Sequence, residues 1–238
     1  MTQPLKCMNE TTLPEARELE TVTDLLARRQ LLMGHKLPAS EGALSTGLES
    51  LDRWLPGGGY PRGEITELVG GAGLHRLIVS VLVSVSLRGA AACLARQTVP
   101  APEVLAARGA HLHQIFFVVE DDPGLLSWAA RQVVSSGRFL LVVLFGSDAF
   151  SGAPLLDPVG YRRLRGLARH HDVPLLLLLR EHPDLAAFAR PCALRLQVHP
   201  EFPENPHAPG VVVTIARSPG GQIGNRVIVH ASPAPVVK

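Results

Sequence analysis

The distribution of apolar residues along the chain predicts short strands that alternate with helices. Apolar runs of strand length occupy residues 65–69, 90–95, 115–119, 139–145 and 174–179. Amphipathic stretches typical of helices lie between them, at residues 102–108, 124–136 and 157–171. The wholly apolar runs at 140–144 and 175–179 are typical of parallel strands that are covered on both faces. The pattern therefore predicts an α/β fold with a mostly parallel central sheet.

Two further regions extend this pattern at the ends of the chain. Residues 192–198, 211–217 and 226–231 form three strand-like runs that are separated by turns rich in Pro and Gly. We expect these closing strands to pair antiparallel at one edge of the sheet. Near the other terminus, the run Thr12-Leu13-Pro14-Glu15 is a capping box, and Gly34 is a stop signal, so residues 13–33 are predicted to form a helix.

The predicted N-terminal helix carries an apolar stripe that has to be buried somewhere. The stripe consists of Leu19, Val22, Leu25, Leu26, Leu32 and Met33. Because residues 35–44 form a linker with Pro, Gly and Ser, the helix can pack on its own domain or on another chain, and both remain open. The expected organisation is a helix and linker at 1–44, a core at 45–231 and a loose tail at 232–238.

The composition of the chain indicates the compartment in which the protein works and the kinds of partner it needs. Hydrophobic residues make up 46% of the 238 residues and charged residues 18%, which fits a packed globular core. A net charge of +2 is too small to demand nucleic acid or an anionic membrane as partner. Cys7, Cys93 and Cys192 are odd in number and far apart, so neither a disulfide framework nor a zinc site is expected. We expect a cytosolic protein without a membrane span, metal or other cofactor.

The candidate chemistry centres on a glycine-rich loop that follows the first predicted strand. A phosphate-binding loop has the pattern G-x-x-x-x-G-K-[ST], because backbone N–H groups and a lysine hold phosphates and the hydroxyl holds Mg²⁺. Counted from Gly70, the last three positions are His75, Arg76 and Leu77, and Gly73 lies within the loop. The loop is predicted not to bind a nucleotide, and a glycine-rich turn without any ligand is the favoured interpretation.

The sequence before this loop resembles the beginning of the RecA recombinase core. The resemblance rests on S-T-G-L-E-S-L-D at residues 45–52, the glycine-rich turn at 57–59, P-R-G at 61–63 and the strand that follows, and it continues to about residue 231. It implies that Gln97 stands at the position of the catalytic glutamate and Leu144 at that of the metal-binding aspartate. It also implies that Arg217 and Pro219 match two lysines that reach a neighbouring subunit's nucleotide. The resemblance thus implies a RecA-like fold without hydrolysis.

Direct DNA binding has little support in the sequence. The segments that match the two DNA-binding loops of RecA, at 147–157 and 180–190, offer few basic or aromatic residues, and the segment at 180–190 has a helical pattern. A basic face on the helix at 157–171 is formed by Arg162, Arg165 and Arg169, with Arg163 beside them. A solvated face is the favoured interpretation there, while contact with phosphate or with an acidic protein remains open. Trp54 and Trp128 lie among apolar neighbours, which favours burial in the core.

A RecA-like core without ATP machinery that carries L-P-G-G-G-Y-P-R-G before its first strand is similar to the ImuA family. This resemblance implies a non-catalytic accessory protein of SOS-induced translesion synthesis. Its implied partners are RecA, ImuB and a DnaE-type error-prone polymerase. The alternative is a SulA-like inhibitor of cell division that binds FtsZ. A third hypothesis is an unusual nucleotide hydrolase that uses Arg76 and Gln97.

Overall fold

Within the described residues, the fold is built on one sheet of eight strands. A computed structural model describes residues 42–71, 73–97, 99–145, 156–180, 192–201, 210–218 and 223–230. The strand order is β3-β2-β4-β5-β1-β6-β7-β8. The strands are β1 (Ile65–Gly70), β2 (Ala91–Ala95), β3 (Ile115–Val119), β4 (Leu141–Phe145), β5 (Leu175–Leu179), β6 (Leu194–Pro200), β7 (Gly210–Arg217) and β8 (Arg226–His230). The predicted α/β class is confirmed.

Five α-helices lie in the described ranges, the first before β1 and the other four between strands. They are α1 (Glu49–Asp52), α2 (Leu74–Ser86), α3 (Pro102–Ala107), α4 (Pro123–Ser135) and α5 (Pro158–His171). Aspartates cap two of them, because the Asp122 side chain accepts a hydrogen bond from the Leu125 N–H and Asp157 accepts one from the Gly160 N–H. A proline follows each cap at the first helical position. The acidic turn at 120–122 therefore leads directly into the helix that the sequence predicts at 124–136.

The parallel part of the sheet is centred on β1. This strand pairs parallel with β5 on one side and with β6 on the other, and β4, β2 and β3 continue the parallel arrangement beyond β5. Every residue of β1, β2 and β5 is buried, which explains why these strands are almost entirely apolar.

The opposite edge of the sheet is antiparallel, as predicted. β7 pairs antiparallel with β6, and β8 pairs antiparallel with β7. β6 has an additional role that the sequence pattern did not indicate, because it also pairs parallel with β1 and joins the two parts of the sheet. All three strands alternate between buried and more exposed positions, so one of their faces lies on the core.

The two faces of the sheet are covered by different helices. On the first face, Leu51 of α1, Leu77 of α2 and Leu105 of α3 belong to one buried cluster that also includes residues from the strands. On the second face, α4 packs against β2 and β4 and lies beside α5. Its buried residues are Leu126, Ala129, Ala130, Val133 and Val134. Both faces of the parallel strands are therefore covered by helices.

The two tryptophans are not core residues, so that interpretation was wrong. The exposed fraction of the residue surface is 48% for Trp54 and 38% for Trp128. Trp54 lies in the turn that follows α1, and Trp128 lies on the side of α4 that faces away from its buried neighbours Leu126 and Ala129. An apolar neighbourhood in sequence therefore does not bury these indoles, because the helix periodicity turns one of them outwards.

Several predictions concern residues outside the described ranges. They include the helix at 13–33 with Leu19, Val22, Leu25, Leu26 and Met33, Pro219, most of the segment at 147–157, the segment at 181–190, and the tail at 232–238. Among the described residues, no helix combines the length and the apolar character that a membrane span requires.

Candidate functional site

The glycine-rich loop joins the carboxyl end of β1, an inner strand of the sheet, to the first turn of α2. The strand–loop–helix arrangement predicted from the sequence is therefore present. Gly70 ends the strand, and a Cβ atom at this position would lie 2.1 Å from the carbonyl oxygen of Val198 in β6. A Cβ at Gly73 would lie 3.0 Å from the Val211 side chain and 3.1 Å from that of Val198. Packing against β6 and β7 thus accounts for both glycines without any ligand.

His75 and Arg76 are the first polar side chains of α2. His75 is exposed, and its ring centroid lies 6.3 Å from that of Phe145 at the end of β4. Arg76 is half-buried, and its Nη1 donates a hydrogen bond of 3.4 Å to the backbone carbonyl of Gly210 at the start of β7. The residue at the lysine position of a phosphate loop is therefore engaged with the protein's own backbone.

Leu77, at the position of the metal-binding hydroxyl, lies in the hydrophobic core. Only 1% of its surface is exposed, and it belongs to the same buried cluster as Leu68 of β1 and Ile78 of α2. An aliphatic side chain has no oxygen to offer to Mg²⁺. The chain therefore uses this position for packing between α2 and the sheet.

Gln97 and Leu144 lie in different surroundings from each other. Gln97 is exposed and follows the end of β2, at the same edge of the sheet as the loop but with β4 and β5 between them. Leu144 is fully buried and pairs in register with Leu94 of β2 and Leu177 of β5. Leu177 in turn pairs with Glu67 of β1, which lies three residues before Gly70. Leu144 is therefore level with the middle of β1, inside the sheet, and not with the loop at the end of that strand. Of the described residues of β4, Phe145 is the one whose ring lies near His75.

Sequence reasoning missed a buried ion pair beneath the loop. Glu67 in the middle of β1 is fully buried, and its Oε2 accepts a hydrogen bond of 2.7 Å from Nε of Arg195 in β6 and lies 2.7 Å from Nη2 of the same arginine. Burial, reinforced by the negative charge of Glu67, raises the pKa of the nearby Cys192 thiol to about 11. A lone glutamate inside the apolar run of β1 was the available signal, since a buried charge requires a partner.

The basic face of α5 is not simply a solvated face, because Arg165 is half-buried and both Arg165 and the exposed Arg169 are paired with one glutamate. Arg165 Nε and Arg169 Nε each donate a hydrogen bond of 2.8 Å to the carboxylate of Glu64, which precedes β1. Burial, the largest influence, would raise the pKa of Glu64, yet its hydrogen bonds and charge interactions with the two arginines hold it below the usual value. Arg162 and Arg163 are exposed. The basic face thus attaches α5 to the start of the central strand.

A solved structure supports the architecture as a whole. The RadB recombinase superposes on this chain with a TM-score of 0.65 over 79% of this chain and 96% of its own, at 19% sequence identity. No protein-family model and no curated protein matches the sequence. At this identity the similarity concerns the fold, and the chain therefore has a RecA-like fold.

Proposed function

We propose that this chain is a non-catalytic accessory protein of SOS-induced translesion synthesis, of the ImuA type, which acts by binding other proteins. The observation that carries the proposal is the burial of Leu77, of which 1% is exposed, at the position where a nucleotide hydrolase of this fold needs a hydroxyl. Phosphoryl transfer depends on metal and positioned donors, and this loop has neither the metal-binding hydroxyl nor the lysine. The fold then serves as a scaffold for binding surfaces.

The rest of the nucleotide site supports the same proposal. Gln97 carries an amide, which can orient a water molecule but cannot accept its proton. The buried Leu144 supplies no carboxylate, and the glycines of the loop are explained by packing against β6 and β7. Three separate stretches of the chain therefore lack the groups that hydrolysis needs. We infer that the protein is not an enzyme and that it works in the cytosol.

The partners follow from the resemblance to the ImuA family. They are RecA, ImuB and a DnaE-type error-prone polymerase.

We further propose that the chain restrains RecA by imitating a RecA subunit, with its N-terminal amphipathic stripe packed on a RecA molecule. A head-to-tail contact propagates only when both faces of a subunit are functional. A subunit that binds one neighbour and offers no ATP site to the next would stop filament growth without any catalysis.

A pull-down from DNA-damaged cells tests this proposal. The bait is the full chain, and the matched control is the same bait in undamaged cells, where SOS-induced partners are scarce. Recovery of ImuB or RecA, confirmed with the purified protein, is the expected result. Recovery of FtsZ without either of them would reject this function in favour of a SulA-like inhibitor of cell division.

A further inference from the structure

The exposed face of α5 has a glycine at its centre. Gly166 lies in the middle of the helix, and a Cβ atom at this position would have no contact within 4 Å among the described residues beyond the helix's own backbone. Glycine weakens the interior of a helix relative to alanine, and no packing contact in the described part of the chain accounts for it here. The missing side chain leaves a notch in which another molecule can approach the helix backbone closely.

The notch is surrounded by basic side chains. Residues three and four positions away are the neighbours of Gly166 on the helix surface. They are Arg162 and Arg163 on the N-terminal side and Arg169 and His170 on the C-terminal side, and all four are exposed. We call these five residues the glycine notch. α5 carries four arginines and no acidic residue, whereas the whole chain has a net charge of +2, so the remainder of the chain carries −2.

Ion pairs neutralise only part of the charge of α5. Arg165 and Arg169 share the single carboxylate of Glu64, so these three residues together keep one positive charge. Among the residues that the structure describes, neither Arg162 nor Arg163 takes part in a hydrogen bond or an ion pair. Their guanidinium groups are therefore open to an anionic partner, and the surface stays positive with Glu64 in place.

We propose that the glycine notch binds a short acidic segment of a protein partner. The proposal rests on the function proposed above and specifies one surface that performs it. Carboxylates of the segment would accept hydrogen bonds from the guanidinium forks of Arg162 and Arg163, while its backbone lies over Gly166. Glu64 shows the same chemistry within the chain, since two arginines of α5 each donate a hydrogen bond of 2.8 Å to its carboxylate.

The size of the notch limits what fits it. Residues 162–170 span about 12 Å along the helix axis, a length that an extended segment of about four residues covers. α5 follows Asp157 and leads into Asp172, so a carboxylate stands at both ends of the positive surface. Nucleic acid gains its affinity from several phosphate contacts along a basic path and from stacking on aromatic rings, and the notch offers no ring other than that of His170. A short acidic segment therefore suits the notch better than a nucleic acid.

Substitutions at the notch separate binding from folding. Arg162→Glu and Arg163→Glu reverse the two unpaired charges, and Arg226→Glu, at an exposed position of the edge strand β8, is their matched control. Gly166→Leu fills the notch without a change of charge, and Ala106→Leu, at an exposed position of α3, controls for a new exposed leucine. The affinity of each full-length variant for immobilised RecA and immobilised ImuB is measured, and thermal unfolding is followed by circular dichroism.

The two charge reversals are expected to weaken binding to at least one partner by about tenfold, as at the centre of other interfaces. Gly166→Leu should weaken the same binding and yet raise the melting temperature, because leucine is a better helix former than glycine. Both controls should bind like the wild type. Arg162→Lys should keep more affinity than Arg162→Glu, because the positive charge remains. Binding by the wild type should also weaken as salt is raised from about 0.1 M to about 1 M.

Three results would overturn the proposal in distinguishable ways. If the wild type binds neither partner, the proposed function fails and the notch fails with it. If the wild type binds but the folded notch variants bind equally well, the function stands and this surface is wrong. If those variants instead lose affinity only for a fluorescent oligonucleotide, single-stranded or duplex, the notch is a nucleic-acid site. Should a charge reversal unfold the protein, Gly166→Leu decides between these results.

Discussion

At the scale of single residues, Leu77 shows how one side chain can serve either packing or ligand binding. In this chain it is packed between α2 and the sheet, in the cluster that includes Leu68. A hydroxyl at the same position would have to exchange water for an apolar environment, which costs free energy unless it finds a partner. Position 77 is thus part of the hydrophobic core, and a metal-binding hydroxyl placed there would lower the free energy of unfolding.

We predict that wild-type protein shows no binding heat with Mg-ATP and that Leu77→Thr does not restore binding. The substitution should lower the free energy of unfolding by about 1–3 kcal/mol, since it removes buried aliphatic surface and buries a hydroxyl. Calorimetry and urea unfolding measure the two effects. Micromolar affinity of the wild type for Mg-ATP would contradict the prediction and favour a hydrolase that uses Arg76 and Gln97.

At the scale of elements, Glu64 joins α5 to β1. Its carboxylate accepts hydrogen bonds from Arg165 and Arg169, and a second ion pair, at 2.7 Å between Arg62 and Asp172, lies beside it, because Arg62 also precedes β1 and Asp172 follows α5. Asp172 follows α5 directly in a left-handed conformation that closes the helix. Two neighbouring ion pairs therefore attach the carboxyl end of α5 to the residues that lead into β1.

The charge of Glu64 makes part of the stability depend on pH. Because its pKa is lower in the folded protein than the usual 4.5, the carboxylate stabilises the fold above that value. The stabilisation is lost as the pH falls through the folded-state pKa. We predict that Glu64→Gln flattens the acid limb of a stability–pH curve from chemical unfolding. Glu103→Gln, at an exposed position in α3, is the control and should leave the curve unchanged.

The elements themselves were largely predictable, whereas their spatial order was not. The apolar runs located β3 at 115–119 and β5 within 174–179. Every residue of β5 is buried, which requires this strand to be apolar throughout, whereas β3 lies at the sheet edge and is only partly buried. The position of β6 beside β1 is a long-range pairing that no local pattern encodes. The same limit applies to the site, where the loop could be found from its glycines, but the Glu67–Arg195 pair joins residues far apart in the sequence.

Removal of residues from 211 onward should give insoluble protein. The deletion eliminates β7 and β8, with the buried side chains Val213, Ile215 and Val229, and exposes the edge of β6. An unpaired apolar edge promotes association with other chains. Solubility and thermal melting of the truncated chain measure the effect. A stable product with a cooperative transition would show that the two strands are dispensable.

At the scale of the whole molecule, the two parts of the sheet differ in strand direction and in what covers them. The parallel half holds the loop and is covered by helices on both faces. In the antiparallel end, the strands alternate between buried and more exposed side chains. The proposed function adds a third part, the N-terminal segment that carries Leu19 and Leu26. The proposed function thus assigns RecA binding to a segment outside the part of the sheet that carries the glycine-rich loop.

The proposed mimicry of RecA predicts a specific effect at the N-terminal stripe. Replacement of Leu19 and Leu26 by Asp should abolish RecA binding and leave the melting temperature nearly unchanged, since burial of each leucine contributes about 1.5–3 kcal/mol to the complex. Thr21→Asp, off the stripe, is the control. If the double variant unfolds, the stripe belongs to the protein's own core. If it stays folded and still binds RecA, mimicry through this stripe is wrong.

The sheet order also determines when the protein can fold during its synthesis. β1 ends at residue 70, but its neighbours β5 and β6 begin at residues 175 and 194. The central strand therefore leaves the ribosome long before either partner exists, and both of its edges stay unpaired in the meantime. Such pairings between distant segments also form slowly. The nascent chain is accordingly most prone to aggregation between the synthesis of β1 and that of β6, and the described sheet can form completely only after β8 has been made.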